Sequence, residues 1–271
     1  TSAATRRCRP RSAARAGSPT ASPAPGPAAG RSRRGTAAVA DAKASEARWR
    51  EGAPLSVLDG VPTSIKNLLL TRGWSNVRGS KSVDPDQDWS VDSPVVARLR
   101  EGGAVLVGKT TTPEIGWKGV TDSPVTGVTR NPWDTTKHAG GSSGGASAAV
   151  AAGMGPIGIG TDGGGSVRIP GSFCGVVGYK PTYGTIPNYP PSPFGTLAHV
   201  GPQTRTVEDT ALLLDVATGP DSRDWSALPT PEIRFTDSID SSIAGLRVAY
   251  SPDLGFVQVD PEVAALVKCA V

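Results

Sequence analysis

The segment from Gly140 to Gly171 restricts the fold of this chain most strongly, because it contains two glycine-rich turns that each carry serine. Between them the sequence predicts an alanine-rich helix over Ala146–Ala152 and an apolar strand over Pro156–Gly160. Glycine tolerates positive φ and lets several backbone amides converge on one point. The second turn follows the strand directly and ends in Ser166, so the sequence predicts a nucleophile beside an oxyanion hole.

The basic charge of the chain is concentrated at its N-terminus. Residues 1–36 contain eight arginines and no acid, whereas the whole chain has 28 basic and 24 acidic residues, so the remainder is mildly acidic. Residues 1–36 also lack Val, Ile, Leu and aromatic residues, and we predict that they form a disordered leader. The acidic remainder argues against nucleic-acid binding.

Helices and strands alternate along the remaining chain, which predicts an α/β fold. Apart from the central segment, the pattern favours helices at Ala37–Glu51, after Ser93-Pro94, at Thr206–Ala217 and from Asp260-Pro261. It favours strands before Lys66, at Ala104–Val107 and at Leu246–Tyr250, and a loop or short strand at Leu197–Gln203.

Cysteine and histidine usage indicates neither a disulfide framework nor a metal site. The three cysteines lie far apart in the sequence and the chain has only two histidines. A reduced, cytoplasmic compartment is therefore the default expectation. No stretch of the sequence has enough consecutive apolar residues to span a bilayer.

Two glycine spacings that are typical of nucleotide-binding motifs occur in the sequence, but the secondary structure and the residues that such motifs require are missing around them. Gly103–Thr110 has the spacing of a phosphate-binding loop, but its interior is an apolar strand that we expect Gly108 to end. Gly158–Gly163 has the spacing of a dinucleotide fingerprint, but the next acid after Asp162 is Glu208. Arg168–Pro170 is also expected to interrupt an early helix there.

A serine nucleophile needs a base, and three side chains are candidates. His138 and His199 have no distinguishing sequence context and are expected to be structural or exposed. Lys66 follows a β-branched residue and precedes three leucines. If this lysine is buried, its pKa falls and its neutral amine can accept a proton. The alternative for Lys66 is an ordinary surface lysine.

These motifs together resemble the amidase signature family of Ser-Ser-Lys hydrolases. The resemblance runs from about Ala37 to the C-terminus and implies a mixed β-sheet core flanked by helices, incomplete in this chain. It therefore divides the chain into a leader, residues 1–36, and an amidase signature domain, residues 37–271. The matching stretches are Gly60–Lys66, Gly108–Glu114, Asn131–Asp134, Gly140–Gly171 and Phe173–Thr182.

The resemblance implies a role for each residue of the predicted site. Ser166 is the nucleophile, Ser142 is a bridging serine on a cis peptide bond, and Lys66 is the final base. No metal and no organic cofactor is implied. The oxyanion hole is formed by the backbone amides of the second turn, those of Gly163, Gly164, Gly165 and Ser166. Three further side chains support the site: Ser143, Asp162 and Arg168.

The implied activity is hydrolysis of a small-molecule amide to an acid and ammonia or an amine. The alternatives are the A subunit of a tRNA-dependent amidotransferase, which works with a partner protein, and an inactive fragment. A homodimer is left open. The proline-rich loop Ile186–Leu197 is expected either to line a pocket that accepts aromatic groups or to be a rigid surface loop.

Two departures from the family pattern are visible in the sequence. Asn67 stands where the family usually has aspartate after the lysine, which removes a negative charge beside Lys66. Family members are also much longer. We therefore expect that the chain is a truncated or mis-framed version of a longer amidase.

Overall fold

The structure is a computed structural model that describes residues 28–271, with side chains from residue 37 onward. Contacts divide the chain into one unit that ends at Ile239 and a second unit whose described part is Asp240–Val271. Residues 1–27 of the predicted leader lie outside the described residues, so their disorder stays a prediction, whereas residues 28–36 belong to a helix.

The described part of the first unit contains five α-helices and seven strands. The helices are α1 (Ala28–Arg50), α2 (Pro94–Glu101), α3 (Gly144–Ala151), α4 (Arg168–Cys174) and α5 (Val207–Ala217). The strands are β1 (Pro62–Lys66), β2 (Val105–Thr110), β3 (Asp122–Ser123), β4 (Gly127–Val128), β5 (Ile157–Asp162), β6 (Val177–Gly178) and β7 (His199–Thr204). The second unit contains α6 (Pro261–Ala270).

Five strands form one mixed sheet in the order β2-β1-β5-β7-β6. Strand β1 runs parallel to β2 and β5, while β7 runs antiparallel to β5 and β6. Strands β3 and β4 pair as a separate antiparallel ribbon. This architecture confirms the predicted α/β class with a mixed sheet flanked by helices.

One face of the sheet packs into the hydrophobic core. Ile65 of β1 and Ile157 and Ile159 of β5 belong to a buried cluster with Val95 and Leu99 of α2 and with residues of α5. Each such fully buried side chain stabilises the fold by about 1.5–3 kcal/mol relative to exposure. Because successive side chains of a strand point to opposite faces, Ile65 faces this core and Lys66 faces the other side of the sheet.

The opposite face of the sheet receives α3 at close range. Gly158 and Gly160 of β5 lie on this face, and a Cβ added to Gly160 would stand 2.7 Å from Ser143 Oγ. Any larger residue at position 160 would push the N-terminus of α3 away from the sheet. These glycines therefore set the distance between β5 and the first serine turn.

Several predicted boundaries agree with the structure. Ser93 precedes α2 and Pro94 occupies its first turn. Thr206 caps α5 by accepting a hydrogen bond from the N–H of Asp209 at 3.1 Å. Asp260 caps α6 in the same way, through the N–H groups of Glu262 and Val263.

Two predicted boundaries and two predictions about whether an element forms are wrong. Helix α1 begins at Ala28 and not at Ala37, consistent with the high helix propensity of alanine and arginine. Strand β2 continues through Gly108 to Thr110, because the backbone there still pairs with β1. Pro170 does not prevent α4, because it lies in the first turn, where proline is tolerated. Residues Leu246–Tyr250 form no strand in the described second unit.

Candidate active site

The ends of two parallel strands bring the predicted site together. Lys66 is the last residue of β1 and Asp162 is the last residue of β5, and these neighbouring strands run in the same direction. Their carboxyl ends therefore meet at one edge of the sheet. The two serine turns also touch there, because the N–H of Ser143 donates a hydrogen bond to the carbonyl oxygen of Ser166 at 3.0 Å.

The side chain of Lys66 is fully buried, with 0% of its surface exposed. Its Nζ lies 2.7 Å from Ser142 Oγ, 2.8 Å from Ser143 Oγ and 2.9 Å from Thr161 Oγ1. Burial holds the pKa of Lys66 well below its usual range, and the negative charge of Asp162 only partly opposes this. The alternative of a surface lysine is therefore wrong for Lys66.

Three hydroxyl groups surround Lys66 Nζ and limit how a neutral amine can be oriented. Ser143 Oγ donates its hydrogen to the carbonyl oxygen of Thr161 at 3.1 Å, so it receives a hydrogen from Nζ. A neutral amine has two N–H groups and one lone pair. If the second N–H goes to Thr161 Oγ1, the lone pair faces the Ser142 hydroxyl. In that arrangement Ser143 and Thr161 occupy the two N–H groups of the amine and leave its lone pair directed at Ser142.

Ser142 and Ser166 line the same pocket. Ser142 is 1% exposed, and the peptide bond between Gly141 and Ser142 is cis, as the family resemblance implies. Ser166 is half-buried, and its hydroxyl makes no hydrogen bond within the described part of the chain. The structure thus places both hydroxyls at one pocket, with only that of Ser142 in contact with Lys66.

Asp162 holds the second serine turn from beneath. Its buried carboxylate accepts two hydrogen bonds of 2.9 Å from the Arg168 guanidinium and further ones from the N–H groups of Gly165 and Val167, at 2.7 and 3.1 Å. Burial by itself raises the pKa of Asp162, but these hydrogen bonds outweigh it and lower the pKa to about 2. Asp162 and Arg168 therefore fix the shape of the turn from Gly163 to Ser166.

The same hydrogen bonds decide which amides are free for an oxyanion. The N–H of Gly165 is already bound to Asp162 Oδ1. The N–H groups of Gly163, Gly164 and Ser166 have no acceptor within residues 28–271. The expectation that the Gly165 amide faces an oxyanion therefore needs correction, because the carboxylate beneath the turn occupies it.

The pocket above the two serines has a volume of about 460 Å³ and mostly apolar walls. Besides the serine turns it is lined by the segment around Ile115 and Trp117 and by the loop from Asn188 to Leu197. The loop therefore lines a pocket, as one of its two predicted interpretations required.

The two histidines have other partners. His138 Nδ1 accepts a hydrogen bond from the N–H of Gly140 at 3.0 Å, and its ring lies against Phe173. His199 lines the pocket, but its Nδ1 lies 2.7 Å from the carbonyl oxygen of Leu197 and its Nε2 3.2 Å from Lys180 Nζ. Both contacts are structural, as expected from the sequence.

Thr161 is a site residue that the sequence does not single out. A threonine inside an apolar strand is common, and nothing in its spacing indicates contact with Lys66. The only local signal is that Thr161 directly precedes Asp162 at the end of β5. Among the described residues, no three His, Cys, Asp or Glu side chains come together as a metal site, and no helix is long and apolar enough to cross a bilayer.

Replacing Asp162 with asparagine is expected to lower the free energy of unfolding by about 2–4 kcal/mol at pH 7, since a buried charge pair and a buried acceptor are lost. The folded-state pKa of Asp162 is about 2, below its usual 3.8. Its contribution is therefore complete above pH 4 and is lost as the pH falls through about 2. Urea unfolding at pH 7 and pH 3 should show a smaller difference at the lower pH.

Asp221→Asn is the matched control for that measurement. Asp221 pairs with Arg223 in a similar two-pronged contact, but this pair lies near the surface. The control should lose less than about 1 kcal/mol. A loss in Asp162→Asn no larger than in the control would contradict the supporting role of Asp162.

The chain is similar in sequence to amidases and to amidotransferase subunits. A family model described as Amidase matches residues 31–271. An acylamidase from Rhodococcus erythropolis is 47% identical over 227 residues, which cover 83% of this chain and 47% of the relative. The A subunit of the glutamyl-tRNA(Gln) amidotransferase from Chloroflexus aggregans (strain MD-66 / DSM 9485) is 39% identical over 236 residues, which cover 87% of this chain and 48% of that relative.

Several solved structures are similar over the same part of the chain. One of them is a bacterial aryl acylamidase that belongs to the amidase signature enzymes, with a TM-score of 0.77 and 35% sequence identity. The likeness covers 86% of this chain and 49% of that one. The chain thus spans about half the length of the curated relatives that it matches.

Proposed function

Because this chain belongs to the amidase signature family of hydrolases, we propose that it hydrolyses a carboxylic amide to an acid and ammonia or an amine through an acyl-enzyme on Ser166. Ser142 is the bridging serine and Lys66 the base. The observation that carries the proposal is the fully buried amine of Lys66, 2.7 Å from Ser142 Oγ. A lysine kept neutral by burial is the base that a serine nucleophile requires.

Acylation begins when Ser166 Oγ attacks the carbonyl carbon of the amide. Its proton passes to Ser142, whose own proton passes to Lys66 Nζ. The tetrahedral oxyanion is held by the free N–H groups of Gly163, Gly164 and Ser166, and each such donor contributes about 10²–10³ in rate. The proton then returns to the leaving nitrogen, and the C–N bond breaks.

Deacylation repeats the same proton path with water. Lys66 and Ser142 take a proton from water as it attacks the ester carbonyl, and the proton returns to Ser166 when the carboxylic acid leaves. Ser143 and Thr161 keep the amine aimed at Ser142 throughout, since their oxygens occupy its other hydrogen-bonding directions.

The proposal also covers the wider organisation of the protein. It assigns the catalytic domain to residues 37–271, a small-molecule amide as substrate and the cytoplasm as location. The proton relay uses side chains of the chain itself, so none of the steps above draws on a metal or an organic cofactor.

A second candidate function is the amidase subunit of a tRNA-dependent amidotransferase. It is favoured by the 39% identity with the A subunit of the Chloroflexus aggregans amidotransferase. In that case the substrate is glutamine, the released product is ammonia, and a partner protein is required.

Covalent labelling by a fluorophosphonate tests the proposed function. A fluorophosphonate reacts with an activated serine, and the labelled residue can be identified by mass spectrometry of peptides. Labelling at Ser166 of the folded chain is the expected result. Folded protein, verified by circular dichroism, that takes up no label would support the inactive fragment. Glutaminase activity that appears only with a partner protein would support the amidotransferase.

A further inference from the structure

Two aromatic side chains from distant segments meet on the wall of the pocket. Trp117 follows the short 3₁₀ turn Glu114–Gly116, and Phe194 precedes the short 3₁₀ turn Gly195–Leu197. Their rings stack with centroids 5.7 Å apart and an interplanar angle of 19°. We call these two residues the aromatic pair.

The aromatic pair begins directly beside the turn that carries the free amides. A Cβ added to Gly163 would lie 3.6 Å from Phe194 Cγ, so the Phe194 ring is in van der Waals range of this glycine. A carbonyl oxygen held by the Gly163 and Gly164 amides would therefore place the substituent on its carbon next to Phe194.

The pair retains apolar surface that nothing in the described chain covers. Trp117 is 75% exposed and Phe194 is 38% exposed. Aromatic rings that stack on each other and also face a pocket can bury further apolar area against a third flat group. Ile115 and Ile169 extend the apolar wall around the two serines.

The charges of the pocket disfavour a substrate that carries an ammonium group. Among the described lining residues only Asp162 is acidic, and its buried carboxylate is already bound by Arg168. The basic lining residues are Arg78 and Lys118, and Lys118 is already paired with Asp122. These described walls thus offer no free carboxylate for the α-ammonium of glutamine.

We propose that Trp117 and Phe194 determine specificity, and that the site takes amides with an aromatic, uncharged acyl group in preference to glutamine or small aliphatic amides. This inference rests on the proposed function of Ser166, because it names the substrate class of that site. The flat acyl group packs on the aromatic pair while its carbonyl oxygen binds the Gly163 and Gly164 amides.

Two fluorophosphonates that differ only in the group on phosphorus test this preference. One carries methyl and the other phenylethyl. In each reaction the bond between Ser166 Oγ and phosphorus forms, the P–F bond breaks and fluoride leaves, while the serine proton passes through Ser142 to Lys66. The phenylethyl reagent should label the wild type about 10-fold faster or more, the scale on which apolar pockets discriminate.

Trp117→Ala and Phe194→Ala should each remove about 10-fold from the phenylethyl rate and leave the methyl rate within about twofold. Trp117→Phe, which keeps a flat ring, should retain most of the preference. Trp225→Ala is the matched control, because Trp225 is 96% exposed and lies outside the pocket, and both rates should stay unchanged.

The outcomes separate this inference from the function on which it rests. If neither reagent labels folded wild-type protein, the proposed function itself is overturned. If both reagents label Ser166 at equal rates, or if Trp117→Ala lowers the two rates equally, the aromatic pair does not select the acyl group although the serine chemistry stands. Hydrolysis of phenylacetamide and of glutamine gives a second readout, since both release ammonia, and faster release from glutamine would overturn the preference.

Discussion

Ser166→Ala is expected to abolish fluorophosphonate labelling and to lower the rate of amide hydrolysis by about 10⁴–10⁶-fold, since losses of this size follow removal of a serine nucleophile. Alanine removes the oxygen that would form the acyl-enzyme and changes little else, because Ser166 Oγ makes no hydrogen bond within the described residues. Mass spectrometry of the intact protein after labelling measures the first effect directly. Initial rates with phenylacetamide measure the second.

A second serine of the same region provides the control for Ser166→Ala. Ser147 lies in α3, is fully buried, and its Oγ has no hydrogen-bond partner in the described part of the chain. Ser147→Ala should therefore fold and label like the wild type. Label that persists in Ser166→Ala, at any other serine, would refute the assignment of the nucleophile.

Lys66→Met is expected to lower the labelling rate by about 10²–10⁴-fold, the usual contribution of a general base. Methionine fills much of the space of the lysine stem but has no lone pair of comparable basicity. The substitution leaves Ser142, Ser143 and Thr161 without their shared partner, so circular dichroism must confirm folding. Lys81→Met, at an exposed lysine, is the control and should leave the rate unchanged.

The pH dependence of labelling tests the same residue in another way. The folded-state pKa of Lys66 is lowered from 10.5, so the amine is neutral above that lowered value and protonated below it. The wild-type rate should fall as the pH drops through the lowered pKa, while Lys66→Met should lose this dependence. A full wild-type rate in Lys66→Met, or identical pH profiles, would rule out Lys66 as the base.

The same shift has a defined effect on stability. Between the lowered pKa and 10.5 the unfolded chain binds a proton at Lys66 that the folded chain does not bind. The free energy of unfolding of the wild type relative to Lys66→Met therefore rises with pH across this window, by at most about 1.4 kcal/mol per pH unit.

The burial of Lys66 could be anticipated from its sequence context, because a β-branched residue and three leucines flank it and a strand buries both faces of such a segment. The two serine turns could also be placed, since glycine runs next to a strand and a helix leave few conformations. The mixed sheet followed from the family resemblance. The burial of Lys66 and the two turns are local predictions, whereas the mixed sheet depends on the resemblance.

The features that could not be predicted depend on contacts between distant segments. Thr161 reaches Lys66 only because β1 and β5 pair in parallel with a particular register. The Gly165 amide is unavailable to an oxyanion only because it donates a hydrogen bond to the Asp162 carboxylate beneath the turn. Trp117 and Phe194 meet only because two loops approach each other over the pocket. Spacing along the chain carries no signal for any of these contacts.

The position of Lys66 on a paired strand has a consequence for how this protein can change. Its amine and the core residue Ile65 occupy consecutive places on β1 and face opposite sides of the sheet. A one-residue shift in the pairing register of β1 would exchange the two sides, placing an amine among isoleucines and a hydrocarbon beside the serines. Loops around the pocket do not set this alternation, so we expect changes in their length to disturb the site less than a change in the length of β1.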